Sequence, residues 1–276
     1  MKRFAVIGDP IKHSMSPYMH NDLFQHYQID ARYDRVHIEK GMLETGLELL
    51  KKDGLAGFNV TVPHKTDILP FLDELDPLCK EIGAVNTVVN ENGKWIGYNT
   101  DGAGYLAGIL KVMPELKDKK TLMIGAGGAA RAIYFTLAHH GVETIDIVNR
   151  TKVRAEQLKA ACPYPVQTAI LSAEAAEQQL GEYDLIIQTT SIGMSPEIDD
   201  SPLDVTNIKE NALISDIIYN PLEPKILQEG KSRGAIVQNG IEMFVYQGAL
   251  AFEKWLGLMP DTDRMRKNVR KQLGGN

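Results

Sequence analysis

The segment MIGAGGAARA, residues 123–132, carries glycine at 125 and 127 and alanine at 130, the spacing G-x-G-x-x-G/A. Directly after a predicted strand and at the start of a predicted helix, such a string turns the chain tightly. It leaves the first N–H groups of the helix free to receive a pyrophosphate. Gly125 permits the turn, Gly127 lets the backbone approach the phosphates, and Ala130 keeps the helix against its strand. Gly125, Ala126, Gly127, Gly128, Ala129 and Ala130 are the candidate pyrophosphate turn. About 20 residues on, NAD-binding units place an acid for the ribose hydroxyls. Here the strand TIDIV runs instead into Asn149, Arg150 and Thr151, with Arg154 following. Two guanidiniums can form charge-assisted hydrogen bonds to a 2′-phosphate, with Asn149 and Thr151 adding neutral ones, so NADP is favoured over NAD. A basic helix start on a solvated surface is the plain alternative.

A second polar set lies in the first half: Ser14 and Ser16 in GDPIKHSMSP, Asn59, Thr61 and Lys65 in GFNVTVPHK, Asn86 in AVNTV and Asp101 in NTDG. Singly, each has an ordinary reading, since serines cap helices, Asn and Asp make turns, and lysines sit in solvent. Together they follow predicted strands, where open α/β sheets take their ligands. Within GFNVTVPHK, alternation sends Val60 and Val62 to the core and Asn59, Thr61 and Lys65 to the other face, while Pro63 interrupts the ladder.

Elements must hold these residues in place. RFAVIG at 3–8 reads as a buried strand, and Ser16 with Pro17 supplies an N-cap and first-turn proline for a helix through about Tyr27. Strand ARYDRVHIE, helix GMLETGLELLKK and strand LAGFNVTV follow, an alternation that predicts a parallel sheet. The stretch 66–82 looks helical but broken. Asn90-Glu91-Asn92-Gly93 between two strand-like runs predicts a hairpin. From Thr121 the alternation restarts: strand 121–125, a helix to His140, TIDIVNR, helix 152–161, DLIIQTT, NALISDII and AIVQNG. The fold class is therefore α/β with two α/β domains, the second a Rossmann-type doubly wound dinucleotide-binding unit. The helices at 241–257 and 262–273 are expected to return to the first. The expected domains are 1–102 plus 241–276 for the substrate and 103–240 for the nucleotide.

Composition narrows the field. The chain has 276 residues, 43% hydrophobic and 24% charged, and a net charge of −6, with mean hydropathy −0.20. These values fit a soluble globular protein and argue against nucleic-acid or anionic-membrane partners. No apolar run approaches the ~18 residues of a spanning helix. Cys79 and Cys162 lack metal-site spacing, so no metal is expected and a reducing, cytoplasmic setting fits.

GDPIKHSMSP, FNVTVPHK, GAVNTV and GYNTDG, followed by GAGGAARA, NRT, DIIYNPLEP and NGIEMFVYQGA, resemble the shikimate dehydrogenase family over essentially the whole chain. The resemblance implies NADPH-dependent reduction of 3-dehydroshikimate to shikimate on the route to aromatic amino acids. Ser14 and Ser16 resemble the serines that bind the substrate carboxylate. Thr61, Asn86, Asp101 and Gln247 look like the residues around the ring hydroxyls and reacting centre, and Lys65 with Asp101 like the catalytic pair. Thr190, Ile217, Gly240 and Met243 fall where the family lines adenosine and nicotinamide, and Tyr219 where it reaches substrate. The sequence departs from some relatives at Asp76-Pro77, where they carry an acid near Pro77, and at Ile192. A homodimer is left open, because the oligomeric state is not written in the sequence.

Carbonyl reduction needs a hydride donor and a proton donor within reach of the carbonyl oxygen, and Lys65 is the expected general acid and base. Two alternatives remain at this level: a quinate/shikimate dehydrogenase of broader specificity, and a non-catalytic NADPH-binding sensor on the same scaffold.

Overall fold

The computed structural model describes residues 1–274. It divides into two compact units, one of Met1–Thr100 together with the chain from Val245 on, the other of Asp101–Phe244.

In the first unit, β1 (Lys2–Gly8), α1 (Ser16–His26), β2 (Ala31–His37), α2 (Leu43–Lys52) and β3 (Gly57–Val60) alternate as their apolar periodicities require. β4 (Glu74–Leu75), α3 (Pro77–Ile82), β5 (Thr87–Glu91) and β6 (Lys94–Tyr98) complete this run. The six strands order as β2-β1-β3-β5-β6-β4. β1 pairs parallel with β2 and β3, but β5 is antiparallel to both β3 and β6. The sheet is thus mixed rather than parallel. The reason is local: Glu91 pairs with Lys94, and Asn92 and Gly93 take φ of 55° and 89°, a two-residue turn that can only join antiparallel neighbours. The segment read as a broken helix contains the short strand β4, and Asp76 caps α3 by accepting from Leu78 N at 3.1 Å.

One face of this sheet is covered by α2, whose Leu43, Leu47 and Leu50 pack with Ile7, Phe58, Val60 and Trp95. On the other, Phe4, Phe24, Tyr33, Phe252 and Trp255 form an aromatic cluster. β2 is the outer strand here, and the Asn21 amide pairs with Tyr33's main chain: Nδ2 donates to Tyr33 O and Oδ1 accepts from Tyr33 N, both at 2.9 Å.

The second unit holds α4 (Asp101–Ile109), β7 (Thr121–Ile124), α5 (Gly128–His139), β8 (Ile145–Val148), α6 (Lys152–Ala161), β9 (Ile170–Leu171) and α7 (Ala173–Gln178). β10 (Leu185–Gln188), β11 (Leu213–Asp216), α8 (Lys225–Ser232) and β12 (Ile236–Gln238) follow. The strands order as β12-β11-β10-β7-β8-β9, all parallel. Read from β9 this is the 3-2-1-4-5-6 order of a doubly wound dinucleotide fold, with its switch point between β7 and β10. β7, β8, β10 and β11 are buried at every position, as strands covered on both faces must be. α4 lies tight on α5: a Cβ on Gly102 would stand 2.0 Å from Thr136 Oγ1 and 2.6 Å from Ala132 O.

α9 (Ile241–Leu256) begins in the second unit and continues into the first, followed by α10 (Thr262–Gln272). The final helices join the first sheet as their apolar faces require. Trp255 Nε1 donates to Val88 O at 2.9 Å, and a Cβ on Gly57 would meet that nitrogen at 2.3 Å. Arg264 grips Asp22 on α1 with two bonds of 2.6 and 2.8 Å.

Candidate active site

The stretch GFNVTVPHK does not behave as one long strand. β3 ends at Val60, which is 1% exposed, whereas Val62 is 65% exposed and lies outside the core assigned to it by alternation. Alternation fails there because the ladder has already stopped. Thr61 N still donates to Ile7 O at 3.0 Å, but His64 N then folds back to Thr61 O at 3.0 Å, closing a turn around Val62 and Pro63. The buried His64 ring hydrogen-bonds Ile38 O at 2.6 Å and pins that turn. Lys65 follows, half-buried, and its carbonyl accepts from Val85 N at 2.8 Å.

Ser14 lies in the loop between β1 and α1, and Ser16 opens α1. Met15, not Ser16, occupies the cap position of α1, and the helix begins at Ser16 with no side-chain cap. Ser14 takes over part of that task, its Oγ accepting from Ser16 N at 3.4 Å. Its carbonyl accepts two bonds from Arg35, at 3.0 and 2.6 Å.

Asn86 is buried at the centre of a polar lattice. Its Nδ2 donates to Thr100 Oγ1 at 2.9 Å, and its Oδ1 accepts from Thr100 N at 2.8 Å and from Thr87 Oγ1 at 3.0 Å. Thr100 Oγ1 in turn donates to Gln247 O at 3.0 Å. On the near side, Asn59 donates to Asn86 O and to Thr87 Oγ1, each at 3.0 Å, and accepts from Tyr33 Oη at 2.6 Å. Asn59 spends its amide on these internal partners, so it supports the site rather than facing a ligand. Burial raises the Tyr33 hydroxyl well above its ordinary range, and a hydrogen bond with Ser16 opposes that rise. Ser16, Asn86 and Gln247 are thereby tied into one scaffold. Thr87, Thr100 and Tyr33 were not singled out from the sequence; the first two stand inside the quoted motifs, while Tyr33 carries no local signal. Asp101, buried at the start of α4, comes directly after Thr100.

In the second unit the glycine-rich turn has the geometry that its residue types demand. Gly125 has φ of 114°, and a Cβ there would stand 2.4 Å from Thr189 Oγ1. Gly127 caps α5 with no side chain of its own to offer the first-turn N–H groups, and a Cβ at Gly127 would meet nothing within 4 Å. Open space beside an uncapped helix start is what a pyrophosphate needs. Ala130 is fully buried against the strand.

Past β8, Asn149 Nδ2 donates to Thr151 O at 2.7 Å, and Arg150, Thr151 and Arg154 are exposed around the start of α6. The acid inside β8, Asp146, is occupied elsewhere: it accepts from Tyr183 Oη and Ala169 N, both at 2.8 Å. Two exposed guanidiniums at a helix start, with the strand's own acid engaged elsewhere, suit a doubly charged phosphate. The residues present therefore fit a phosphorylated dinucleotide.

Thr190 follows β10, and its N–H is held by Gln188 Oε1 at 2.6 Å. Ile217 follows β11, and Gly240 backs onto it so closely that a Cβ would lie 1.9 Å from Ile217 O. Met243 lies on α9's first turn, half-buried. Tyr219, expected at the substrate, belongs to this unit and stacks on Phe244 with ring centroids 4.6 Å apart. Burial pushes its hydroxyl up to about 12, so it is neutral and able to donate.

Family profiles match three segments of the chain. Residues 6–88 match one described as shikimate dehydrogenase substrate binding domain, 108–221 one described as shikimate / quinate 5-dehydrogenase, and 240–270 one described as shikimate 5′-dehydrogenase C-terminal domain. The chain is 53% identical over 277 residues to a shikimate dehydrogenase (NADP(+)) of Bacillus anthracis, covering 100% of both. Among solved structures, a shikimate dehydrogenase in complex with NADP+ superposes with a TM-score of 0.92 at 37% identity, over 99% of this chain and 96% of that one. A shikimate 5-dehydrogenase from Thermus thermophilus, in complex with NADP(H) and shikimate, gives 0.88 at 34% identity over 98% and 99%.

Proposed function

Because the chain belongs to the shikimate dehydrogenase family, we propose that it reduces 3-dehydroshikimate to shikimate with NADPH and runs the reverse with NADP+, on the route to aromatic amino acids. The observation that carries this reading is the full-length likeness to an NADP-named relative, joined to a bare α5 N-terminus followed by Arg150 and Arg154. Most of the residues assigned to the substrate lie in 1–102 plus 241–276, and most of those assigned to the cofactor in 103–240.

When bound, the nicotinamide supplies or accepts the hydride. This chain's residues do the rest. Lys65, as an ammonium, donates a proton to the C3 oxygen as the carbonyl becomes an alcohol; in the reverse direction the neutral amine takes that proton back. Asp101 is its partner in the catalytic pair. Ser14 and Ser16 hold the substrate carboxylate with hydroxyl donors, and Thr61, Asn86, Tyr219 and Gln247 recognise the ring hydroxyls. A site built of fixed polar groups rejects an analogue lacking a hydroxyl, because the abandoned groups stay buried and unpaired. Around the cofactor, residues 125–130 take the pyrophosphate, Asn149, Arg150, Thr151 and Arg154 the 2′-phosphate, and Thr190, Ile217, Gly240 and Met243 the remaining surfaces.

A spectrophotometric assay with shikimate and NADP+ tests this. NADPH absorbance should rise with wild-type protein and be nearly abolished in Lys65→Ala. NADP+ binding without shikimate-dependent reduction would instead establish a sensor, and equal rates with quinate the broader dehydrogenase.

A further inference from the structure

Two strands of the second unit, β10 and β11, end in a buried polar side chain that folds forward to hold the loop after it, and β12 is followed by a half-buried one. At the end of β10, Gln188 Nε2 donates to Thr190 O and Ile192 O, both at 3.1 Å, while its Oε1 accepts from Thr190 N at 2.6 Å. After β12, Asn239 Nδ2 donates to Leu222 O at 2.8 Å and its Oδ1 accepts from Ile241 N at 3.2 Å. Both amides are used at both ends.

At the end of β11 the same place is taken by an acid. Asp216 is 1% exposed, and its Oδ1 accepts from Ile218 N at 2.9 Å. Its Oδ2 is buried with no hydrogen-bond partner among the described residues. In the amide neighbours this second atom is a donating nitrogen; a carboxyl matches that pattern only when it carries a proton. Burial raises Asp216 to about 7, against the lowering effect of the Ile218 N–H. Tyr105 is the titratable group that faces it: burial raises that hydroxyl, a hydrogen bond with Ser215 opposes the rise, and the Asp216 charge adds to it. The strands on either side of β11 contribute Gln188 and Gln238, which are neutral.

The segment that Asp216 holds has few other tethers. Ile217 N donates to Gln188 O at 3.1 Å, and Gly240 N to Ile218 O at 2.9 Å. With Gly240 backed directly onto Ile217 O, a small shift of this segment displaces both residues assigned to the cofactor. The geometry points to Asp216 as a positioning residue that works as a neutral carboxylic acid, fixing the Ile217–Ile218 backbone for NADP(H), and loss of its proton releases that backbone. The physical reason is solvation: an ionised carboxylate with one oxygen sealed from any donor must draw the segment outward to reach water. The inference rests on the cofactor reading above.

The sign follows from the direction of the shift. A carboxyl raised in the folded protein contributes stability at low pH that is lost as pH rises through the folded value. Asp216→Asn keeps the Oδ1 acceptor, places a neutral donor at the second position and cannot ionise. Its Tm relative to wild type should therefore climb by about 3 °C or more between pH 5.5 and 8. NADP+ affinity, measured by calorimetry, should fall about three-fold or more between pH 6.5 and 8.5 in wild type beyond any fall in Asp216→Asn, which shares the cofactor's own titration. Asp216→Ala should raise the KM for NADP+ about ten-fold with kcat within about two-fold, a split that Asp216→Asn restores. Parallel wild-type and Asp216→Asn curves, with NADP+ binding intact, would overturn the role of Asp216 alone. A wild-type protein that binds no NADP+ would defeat the functional reading and the role of this loop with it, whatever the Tm curves show.

Discussion

The two units build their polar sites in opposite ways. In the first, side chains hold side chains: Tyr33, Asn59, Thr87, Asn86 and Thr100 bond one another across three strands and reach the Gln247 carbonyl on α9. In the second, the main chain is the instrument, with an uncapped helix start, a glycine at φ 114° and a strand-end turn that leaves room for no Cβ at Gly240. Side-chain lattices discriminate among hydroxyl patterns, because each partner has a fixed direction. Backbone amides bind phosphate of any parent molecule, and specificity is added by a few exposed cations.

Four substitutions probe that contrast. The largest effect should come from Lys65→Ala, which removes the proposed proton donor and should lower kcat by about 10²–10⁴-fold while NADP+ affinity stays near wild type. Unchanged turnover in the folded variant would strip Lys65 of its role. Next, Asn86→Ala leaves Thr100 N and the Thr87 hydroxyl without their shared acceptor. It should cost about 2–4 kcal/mol by chemical denaturation, since each orphaned buried group costs about 1–3 kcal/mol. If cofactor affinity fell in proportion, the two units would not be the separable devices described above.

Arg150→Ala acts on the opposite unit. Loss of a charge-assisted bond of about 1.5–3 kcal/mol should weaken NADPH about 10-fold to 100-fold while leaving NADH almost untouched. Equal losses for both cofactors would show that the arginine does not read the 2′-phosphate.

The smallest effect concerns stability. His20 is buried between Tyr33 and Phe252, with both ring nitrogens lacking partners, and burial depresses it to about 3. A histidine depressed in the folded state contributes stability above its ordinary value of about 6.5 that is lost as pH falls. Wild type should therefore lose about 2 kcal/mol more than His20→Phe between pH 7 and 5. Identical pH curves for the two would show that the ring is not held neutral. Asp216 leans the other way, losing stability as pH rises, so the units are exposed to opposite ends of the pH scale.

The contrast also explains what could be read in advance. Gly125, Gly127 and Ala130 are legible because the backbone geometry they permit is a property of consecutive residues. The Asn92-Gly93 turn is legible for the same reason, and it also made the first sheet mixed, a consequence that strand-helix alternation alone had concealed. Lys65 and Asn86 stood out as polar residues after predicted strands, but only likeness to a family gave them roles, since a lysine after Pro63 has no periodicity of its own. Val62 misled because the alternation rule holds only while the ladder continues, and the chain leaves it at Val60. Tyr33 and Asp216 were invisible: their significance lies in partners or missing partners that come from distant parts of the chain.

The Asn21 amide on β2 has a consequence for how the protein behaves in a crowded solution. A strand at a sheet's border offers unpaired peptide groups that can recruit another chain's backbone and seed ordered aggregates. By occupying the rung at Tyr33 with a donor and an acceptor of its own helix, the chain closes that rung to a foreign strand. One amide side chain thus acts as a built-in safeguard against self-association along that border.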